Sequence, residues 1–294
     1  ELEFKTPVCN DDWAQMAHAL EIKVIHIAER DTQTTNARKK RNEFVNTWSV
    51  DGLITEGLQP AELGWGTHEK HWPTDAERHN NGSYAAIFLN RPGIATRVHS
   101  WTPLEGSYHG FLITHLESIS IANCLTLHAG SDITYRPTVH YAYHPCDDAL
   151  LSLHELAGKN WQPQKHQRIL RDEITVGMDE FGVLLMGNKK GAYWFGSRLG
   201  IRQARELAPH NNATSLQRAA GIFSAVIWAL RNPDQGIIEP IDFDHQSILE
   251  MVTPYLGEMV GIYSSWTPLN ERSNLFIEPI DSSDPWQFIN FRVA

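Results

Sequence analysis

Short runs of apolar residues dominate the first half of the chain, and their pattern predicts a β-sheet. Branched and aromatic runs bounded by Gly, Pro or Asn predict strands at IKVIHIAE, EFVNTWSV, SYAAIFLN, ATRVHSW and YHGFLITH. ITYRPTVHYAY continues the pattern, and its Pro137 favours an edge strand or a bulge. GVLLMGNKKGAYWFGS has an apolar run, a turn and an aromatic run, which is typical of a hairpin. We therefore expect a mixed, mainly antiparallel sheet.

Helical spacing of apolar residues is clearest between Thr214 and Leu230, and Asn232-Pro233 ends that segment. Other helices are predicted from Asp11 or Asp12 to Leu20, from Cys146 to Leu156 and from Ile201 to Leu207. The predicted fold class is α+β, with helices flanking the sheet. One main domain is expected over residues 1–208, followed by a C-terminal helical segment over residues 209–294.

Composition narrows the class of protein. The 294 residues include no run of about 20 apolar residues, and the first residues lack the basic end and apolar centre of a signal peptide. Three cysteines without a CxxC pair favour reduced thiols over a disulfide framework or a zinc site. A net charge of -10 disfavours nucleic acid as a partner and suits a cationic ligand. A soluble, cytoplasmic protein without a membrane partner is the expectation.

The segment from Asn46 to Lys70 is the first candidate for chemistry. A strand ending in Trp48 is predicted to lead into a Gly-rich loop that carries three glutamates, among them Glu56. Upstream, Glu29 ends a buried strand, where it either pairs with a neighbour such as Arg30 or binds a ligand. Carboxylates beside an aromatic face suit an alkyl diammonium ion, although Trp48 can equally be a core residue.

Five long stretches resemble bacterial homospermidine synthases. They are HIAERDTQ, FVNTWSVDGLITEGLQPAELGWGTHE, GFLITHLESISIANCLT, YRPTVHYAYHPCDDALLSLHE and SSDPWQF, in family order from about Trp13 to Phe288. That family is similar in fold to saccharopine dehydrogenases, which have a Rossmann domain, a catalytic α+β domain and a C-terminal segment that packs on the Rossmann domain. The resemblance implies that residues 1–208 are the catalytic domain and that residues 209–294 pack on the nucleotide-binding domain.

The resemblance also implies roles for individual residues. Glu29 and Glu56 match the acidic residues that hold and deprotonate the diamine; we prefer Glu56 as the base and Glu29 as the anchor, and the reverse stays open. Trp48 matches the aromatic residue that contacts the substrate cation. Asn46 and Tyr143 are further candidates for substrate contact.

For the cofactor, the resemblance points to a histidine near the nicotinamide and the reacting carbon, which His115 matches. His115 can also be a histidine that simply completes hydrogen bonds at a strand end. Pro137 and Thr138 are the other candidates for cofactor contact. No G-x-G-x-x-G turn occurs in the sequence, so the main NAD-binding domain is expected to lie before Glu1, and this chain is expected to be part of a longer protein and inactive alone.

The implied reaction joins two putrescine molecules, or putrescine and spermidine, with release of ammonia or diaminopropane. NAD takes a hydride from the amine-bearing carbon and returns it to the imine formed with the second amine. The hydride can leave only a carbon that bears a neutral amine. A carboxylate is therefore needed as the base that deprotonates the ammonium group. A homodimer is the family's expected assembly.

Three alternatives remain at this stage. A saccharopine-type oxidoreductase acting on an amino acid would need a cation for the substrate carboxylate, and Arg97 or Arg136 is a candidate. A polyamine-binding module without catalysis is the second. The third is a metal site at His140 and His144, which is disfavoured because strand-forming residues surround them and Pro145 follows; no metal is expected.

Overall fold

The computed structural model describes residues 7, 9–81, 84–270, 272 and 278–293. Its helices are α1 (Asn10–Ala19), α2 (Val50–Leu58), α3 (Leu116–Cys124), α4 (Asp147–Gly158), α5 (Ile201–Leu207), α6 (Ala213–Arg231), α7 (His245–Val252) and α8 (Phe288–Phe291). Within these ranges, no helix has both the length and the apolar character that crossing a membrane requires.

Among the described residues, the strands form one large sheet and three small two-stranded ones. They are β1 (Val24–Asp31), β2 (Thr34–Thr35), β3 (Glu43–Asn46), β4 (Pro60–Gly64), β5 (Ala76–Arg78), β6 (Ala86–Pro92), β7 (Arg97–Thr102), β8 (Gly106–Phe111), β9 (Leu127–Ala129), β10 (Asp132–Tyr135), β11 (Thr138–His144), β12 (His166–Ile169), β13 (Ile174–Val176), β14 (Met178–Asn188), β15 (Gly191–Gly200) and β16 (Glu258–Ser264).

The large sheet runs in the order β16, β15, β14, β1, β11, β4, β6, β5, and the β7–β8 hairpin joins it through β8 on β11. Its pairs are antiparallel except for β1 and β11, which run parallel. The α+β class with a mainly antiparallel sheet is thereby confirmed, as are the β14–β15 hairpin and helix α5. Buried apolar residues form a core on each face of β1, because successive side chains of a strand point to opposite faces.

Pro137 lies between two strands and not within an edge strand, but the β9–β10 pairing just before it is irregular between Ile133 and Tyr135. β10 ends at Tyr135, and β11 begins at Thr138 and lies in the centre of the sheet, buried on both faces. Pro137 precedes the first paired residue, where its missing N–H removes no ladder bond. The Thr138 amide makes the first bond instead, to the carbonyl of Lys23.

The predicted acidic loop after Trp48 is wrong, because helix α2 and strand β4 together occupy much of it. Ser49 caps this helix by accepting a hydrogen bond from the amide of Gly52. The buried residues of α2 recur at helical spacing, at Val50, Leu53, Ile54 and Gly57. Glu56 is therefore held by a rigid element.

The C-terminal part of the chain is joined to the sheet. β16 pairs with β15 along seven residues, and the tail from 278 returns to bury Phe288 and Phe291 in the core. Glu69 holds this tail, since its carboxylate accepts hydrogen bonds from the Phe288 amide (2.9 Å) and the Thr138 hydroxyl (2.6 Å). Whether residues 209–294 also pack on a nucleotide-binding domain stays a prediction.

The buried carboxyl of Glu69 makes stability depend on pH. Burial raises its pKa from 4.5 to about 7, against the opposing effect of its two hydrogen bonds. Because the pKa of Glu69 is higher in the folded than in the unfolded state, its protonated carboxyl stabilises the fold fully below pH 4.5. This stabilisation, about 3 kcal/mol in total, is lost as the pH rises through 7.

Glu69→Gln should therefore remove this dependence. The free energy of unfolding of wild type and of variant is measured by urea titration from pH 4.5 to 8.5. Over this range the variant is expected to gain about 3 kcal/mol of stability relative to wild type. Glu77→Gln, an exposed change on β5, serves as the control. A difference that does not vary with pH would show that Glu69 titrates normally.

Candidate active site

The carboxyl end of β1 places Glu29 beside two tyrosines of β11. Glu29 lies opposite Tyr143 in the parallel register, and Tyr141 precedes Tyr143 by two residues on the same face. The Tyr141 hydroxyl donates a hydrogen bond to the Glu29 carboxylate, and burial raises the pKa of Tyr141 well above its usual value. Glu29 is 2% exposed, so this carboxylate is an inner member of the site.

Trp48 follows β3 and lies against the same group. Its indole N–H donates to the hydroxyl of Tyr143 at 2.9 Å, which fixes the plane of the ring. Arg218 of α6 lies over this ring at 4.2 Å from its centroid and pairs with Glu29 at 3.1 and 3.2 Å. A cation, a carboxylate and an aromatic face thus already meet at this point.

His115 precedes α3 and completes the group from the other side. Its ring lies 4.8 Å from that of Tyr141, its Nε2 lies 3.5 Å from Glu56, and its Nδ1 lies 2.6 Å from Glu117. Burial lowers the pKa of His115, but hydrogen bonds and charge from Glu117 and Glu56 outweigh it and raise the pKa to about 9. At neutral pH this histidine is an imidazolium between two carboxylates.

A second buried network positions Arg218. Asp31, two residues after Glu29, accepts hydrogen bonds from Thr47 and from Thr214 at the start of α6. Burial raises the pKa of Asp31 to about 6, with the hydrogen bond from Thr47 opposing. Arg218 lies one helical turn after Thr214 on the same face of the helix. Fixing Thr214 to β1 therefore aims Arg218 at Glu29.

Asp179 also belongs to this network. It lies opposite Asp31 in the β1–β14 register and is buried. Burial, then the nearby charges of Glu29 and Asp31, raise its pKa well above the usual range.

The structure brings together the predicted residues Glu29, Trp48, Glu56 and His115 around the side chains of Tyr141 and Tyr143. We call this group, with Arg218 and Glu117, the carboxylate cluster. Side-chain exposure is 2% for Glu29 but 32% for Glu56. The cluster therefore has an inner carboxylate and an outer one.

Other predicted residues lie outside this cluster. Asn46 is buried in β3 and its amide donates to the carbonyl of Ser49, so it shapes the turn that carries Trp48. Pro137 and Thr138 lie at the opposite end of β11 from Tyr143, about 17 Å along the strand. The Thr138 hydroxyl is occupied by Glu69 and by the amide of Gly66. Cofactor contact by these two residues stays a prediction.

Arg97 and Arg136, the candidates for binding a substrate carboxylate, also lie outside the carboxylate cluster. Arg97 is exposed on β7 beside Phe111, and buried Arg136 donates to the Thr126 hydroxyl. His140 and His144 lie on one face of β11 but about 13 Å apart, which is too far to share an ion. Within the ranges that the structure describes, no three His, Cys, Asp or Glu side chains are placed to hold a metal.

Sequence reasoning missed Tyr141, Glu117, Asp31 and Arg218. The alternation in HYAY was a usable signal, because it places Tyr141 and Tyr143 on one face. Arg218, in the otherwise small and apolar segment LQRAAGIF, was a weaker signal. Nothing in the local pattern connects Arg218 to Glu29, which precedes it by 189 residues.

The chain is similar to known proteins over nearly its whole length. The saccharopine dehydrogenase C-terminal domain family matches residues 13–262. Homospermidine synthase of Blastochloris viridis is 53% identical over 289 residues, covering 98% of this chain and 60% of that protein. Homospermidine synthase of Mesorhizobium japonicum is 50% identical over 296 residues, covering 99% and 61%.

A solved structure is equally similar. The crystal structure of homospermidine synthase from Legionella pneumophila in complex with NAD has a TM-score of 0.97 and 56% identity, over 100% of this chain and 64% of that one. The chain thus spans about 60% of the length of the curated relatives it matches. The resemblance to homospermidine synthases is confirmed, and the chain belongs to the saccharopine dehydrogenase C-terminal domain family.

Proposed function

We propose that this chain is the substrate-binding portion of an NAD-dependent homospermidine synthase acting on putrescine and related polyamines. The observation that carries the proposal is the convergence of Glu29, Glu56 and His115 beside Trp48. The similarity to the named synthases over nearly the whole chain supports it.

The charges of the carboxylate cluster suit a diammonium ion. Glu29, Glu56 and Glu117 outnumber the two cations, Arg218 and His115. Burial strengthens the attraction of these carboxylates for a cation because the local dielectric constant is low. An aromatic face at Trp48 adds cation–π attraction for an amine carried on an alkyl chain.

The two carboxylates have different roles in this proposal. Glu29 is buried and hydrogen-bonded by Tyr141, which suits an anchor for an ammonium group. Glu56 is half-buried next to His115, and a base must be able to pass its proton onward. We assign the base to Glu56, and His115 to proton transfer between Glu56 and the outside. The net reaction joins two putrescine molecules and releases one ammonia, which balances atoms and charge.

NAD, when bound, supplies the transient acceptor of the hydride. His115 fits a position beside its nicotinamide end, since it is partly exposed at the outer side of the cluster. The sequence contains no G-x-G-x-x-G turn for the pyrophosphate. We therefore propose that the region of the relatives beyond this match holds most of the dinucleotide.

The C-terminal segment offers a surface for that region. Apolar side chains stay exposed along α6, at Ile222 (69%), Val226 (52%) and Leu230 (72%). An apolar stripe of this kind is typical of a contact surface. We propose that residues 209–294 contact the nucleotide-binding portion here, and that the whole enzyme is a cytoplasmic homodimer.

The test is mass-spectrometric detection of homospermidine from putrescine and NAD. The chain alone is compared with the chain joined to the N-terminal portion of the Blastochloris viridis relative, referred to below as the fusion protein. Product from the fusion protein, and none from the chain alone, is expected. Product from neither, together with putrescine binding, would favour a binding module. A preference for dicarboxylate amino acids over diamines would favour a saccharopine-type oxidoreductase.

A further inference from the structure

The position of Arg218 raises a question about the proposed amine site. Its guanidinium makes the two contacts that an ammonium group of the substrate is expected to make, with the Glu29 carboxylate and with the face of Trp48. The guanidinium contacts both oxygens of the carboxylate and covers this ring face, so a substrate ammonium that takes the same position must displace it. The protein therefore carries its own ligand for this subsite.

Within the fold, Arg218 is the cationic partner of the buried Glu29 carboxylate. An ionised carboxylate that is 2% exposed is costly unless a cation or hydrogen-bond donors accompany it. Arg218 and Tyr141 supply both. Exchange of the guanidinium for a substrate ammonium keeps the local charge constant, so the exchange adds no new buried charge.

The guanidinium of Arg218 also has open space beside it into which it can move. It borders a cleft of about 580 Å³ that is lined by Trp48 as well, and its side chain is 31% exposed. Helix α6 is held in place by Thr214 and by its cap at Asn212. The side chain of Arg218 can therefore rotate without movement of the helix. Arginine side chains have several rotatable bonds, so rotation of the side chain alone can carry the guanidinium into the cleft.

We propose that Arg218 is a built-in competitor for the amine subsite formed by Glu29 and Trp48, and that binding of the diamine displaces its guanidinium into the adjacent cleft. This inference rests on the proposed function, since it takes the ligand to be an alkyl diamine. Arg218 is then the residue that sets how tightly the subsite holds its amine. Its role is in affinity, not in proton or hydride transfer.

The test is calorimetric titration of the chain with putrescine at pH 8. Arg218→Gln is expected to bind putrescine about tenfold more tightly than wild type, equivalent to about 1.4 kcal/mol, because the competing guanidinium is gone. Arg218→Lys should fall between them. Arg202→Gln, an exposed change of the same charge on α5, controls for the loss of one positive charge.

A second measurement separates competition from a structural role. Adding guanidinium ion at non-denaturing concentration to Arg218→Gln should weaken putrescine binding, because the ion reoccupies the vacated position. If Arg218 instead holds the site in shape, the variant binds putrescine more weakly than wild type and guanidinium restores the binding.

Three further outcomes have distinct meanings. Equal binding by wild type and Arg218→Gln overturns the inference and leaves the proposed function intact. No binding by any form, at putrescine concentrations well above those that saturate the named synthases, overturns both. In the fusion protein, a lower KM with little change in kcat for Arg218→Gln supports competition, whereas a loss of kcat contradicts it.

Discussion

Glu56→Gln in the fusion protein is expected to lower kcat for homospermidine formation by about 10²- to 10⁴-fold, the contribution typical of a positioned general base. The amide keeps the size of the side chain but cannot accept the proton of an ammonium. Because α2 is rigid and Glu56 is half-buried, little rearrangement of the helix should accompany the change. The measurement is the steady-state rate of product formation from saturating putrescine.

Glu77→Gln is the control for that experiment. Glu77 is exposed on β5, an edge strand of the large sheet that lies three strands from β11. Its replacement should leave kcat within about twofold of wild type, on the order of the scatter expected for a surface change. Near-normal activity of Glu56→Gln combined with a large loss in Glu29→Gln would reverse the assignment of base and anchor.

Glu29→Gln is expected to lower the free energy of unfolding by about 2 kcal/mol and to abolish putrescine binding. The change leaves the guanidinium of Arg218 without its carboxylate in a largely buried position. Breaking a fully buried ion pair costs more, but the partial exposure of Arg218 reduces the penalty. Urea denaturation of the chain measures the stability, and calorimetry measures the binding.

The double variant Glu29→Gln with Arg218→Met separates the two causes. If stability is lost because Arg218 is left unpaired, removing its charge should restore at least half of the loss. Putrescine binding should not return, because the anchor is still missing. If the double variant is as unstable as Glu29→Gln alone, the loss comes from the hydrogen bond of Tyr141 or from packing instead.

Most elements of the fold could be predicted from the sequence because they depend on local patterns. The buried strand around Val24–Asp31, the β14–β15 hairpin and helix α6 have strong periodicity or turn signals within their own residues. The two departures from prediction have local causes as well. The cap at Ser49 was outweighed by glycines and acids that suggested a loop, and Pro137 proved to stand just before a strand.

For the site, the sequence predicted individual residues, whereas the contacts between them were decided by the fold. The sequence, through its resemblance to homospermidine synthases, predicted Glu29, Trp48, Glu56 and His115 as site residues and a cationic ligand, but it could not show that these residues meet in space. The parallel pairing of β1 with β11 and the attachment of α6 to Asp31 were decided by tertiary structure. These contacts join residues more than 100 positions apart, and no local propensity encodes them. Arg218 therefore reaches Glu29 only in the folded chain, because the sheet register and the helix end fix where its side chain points.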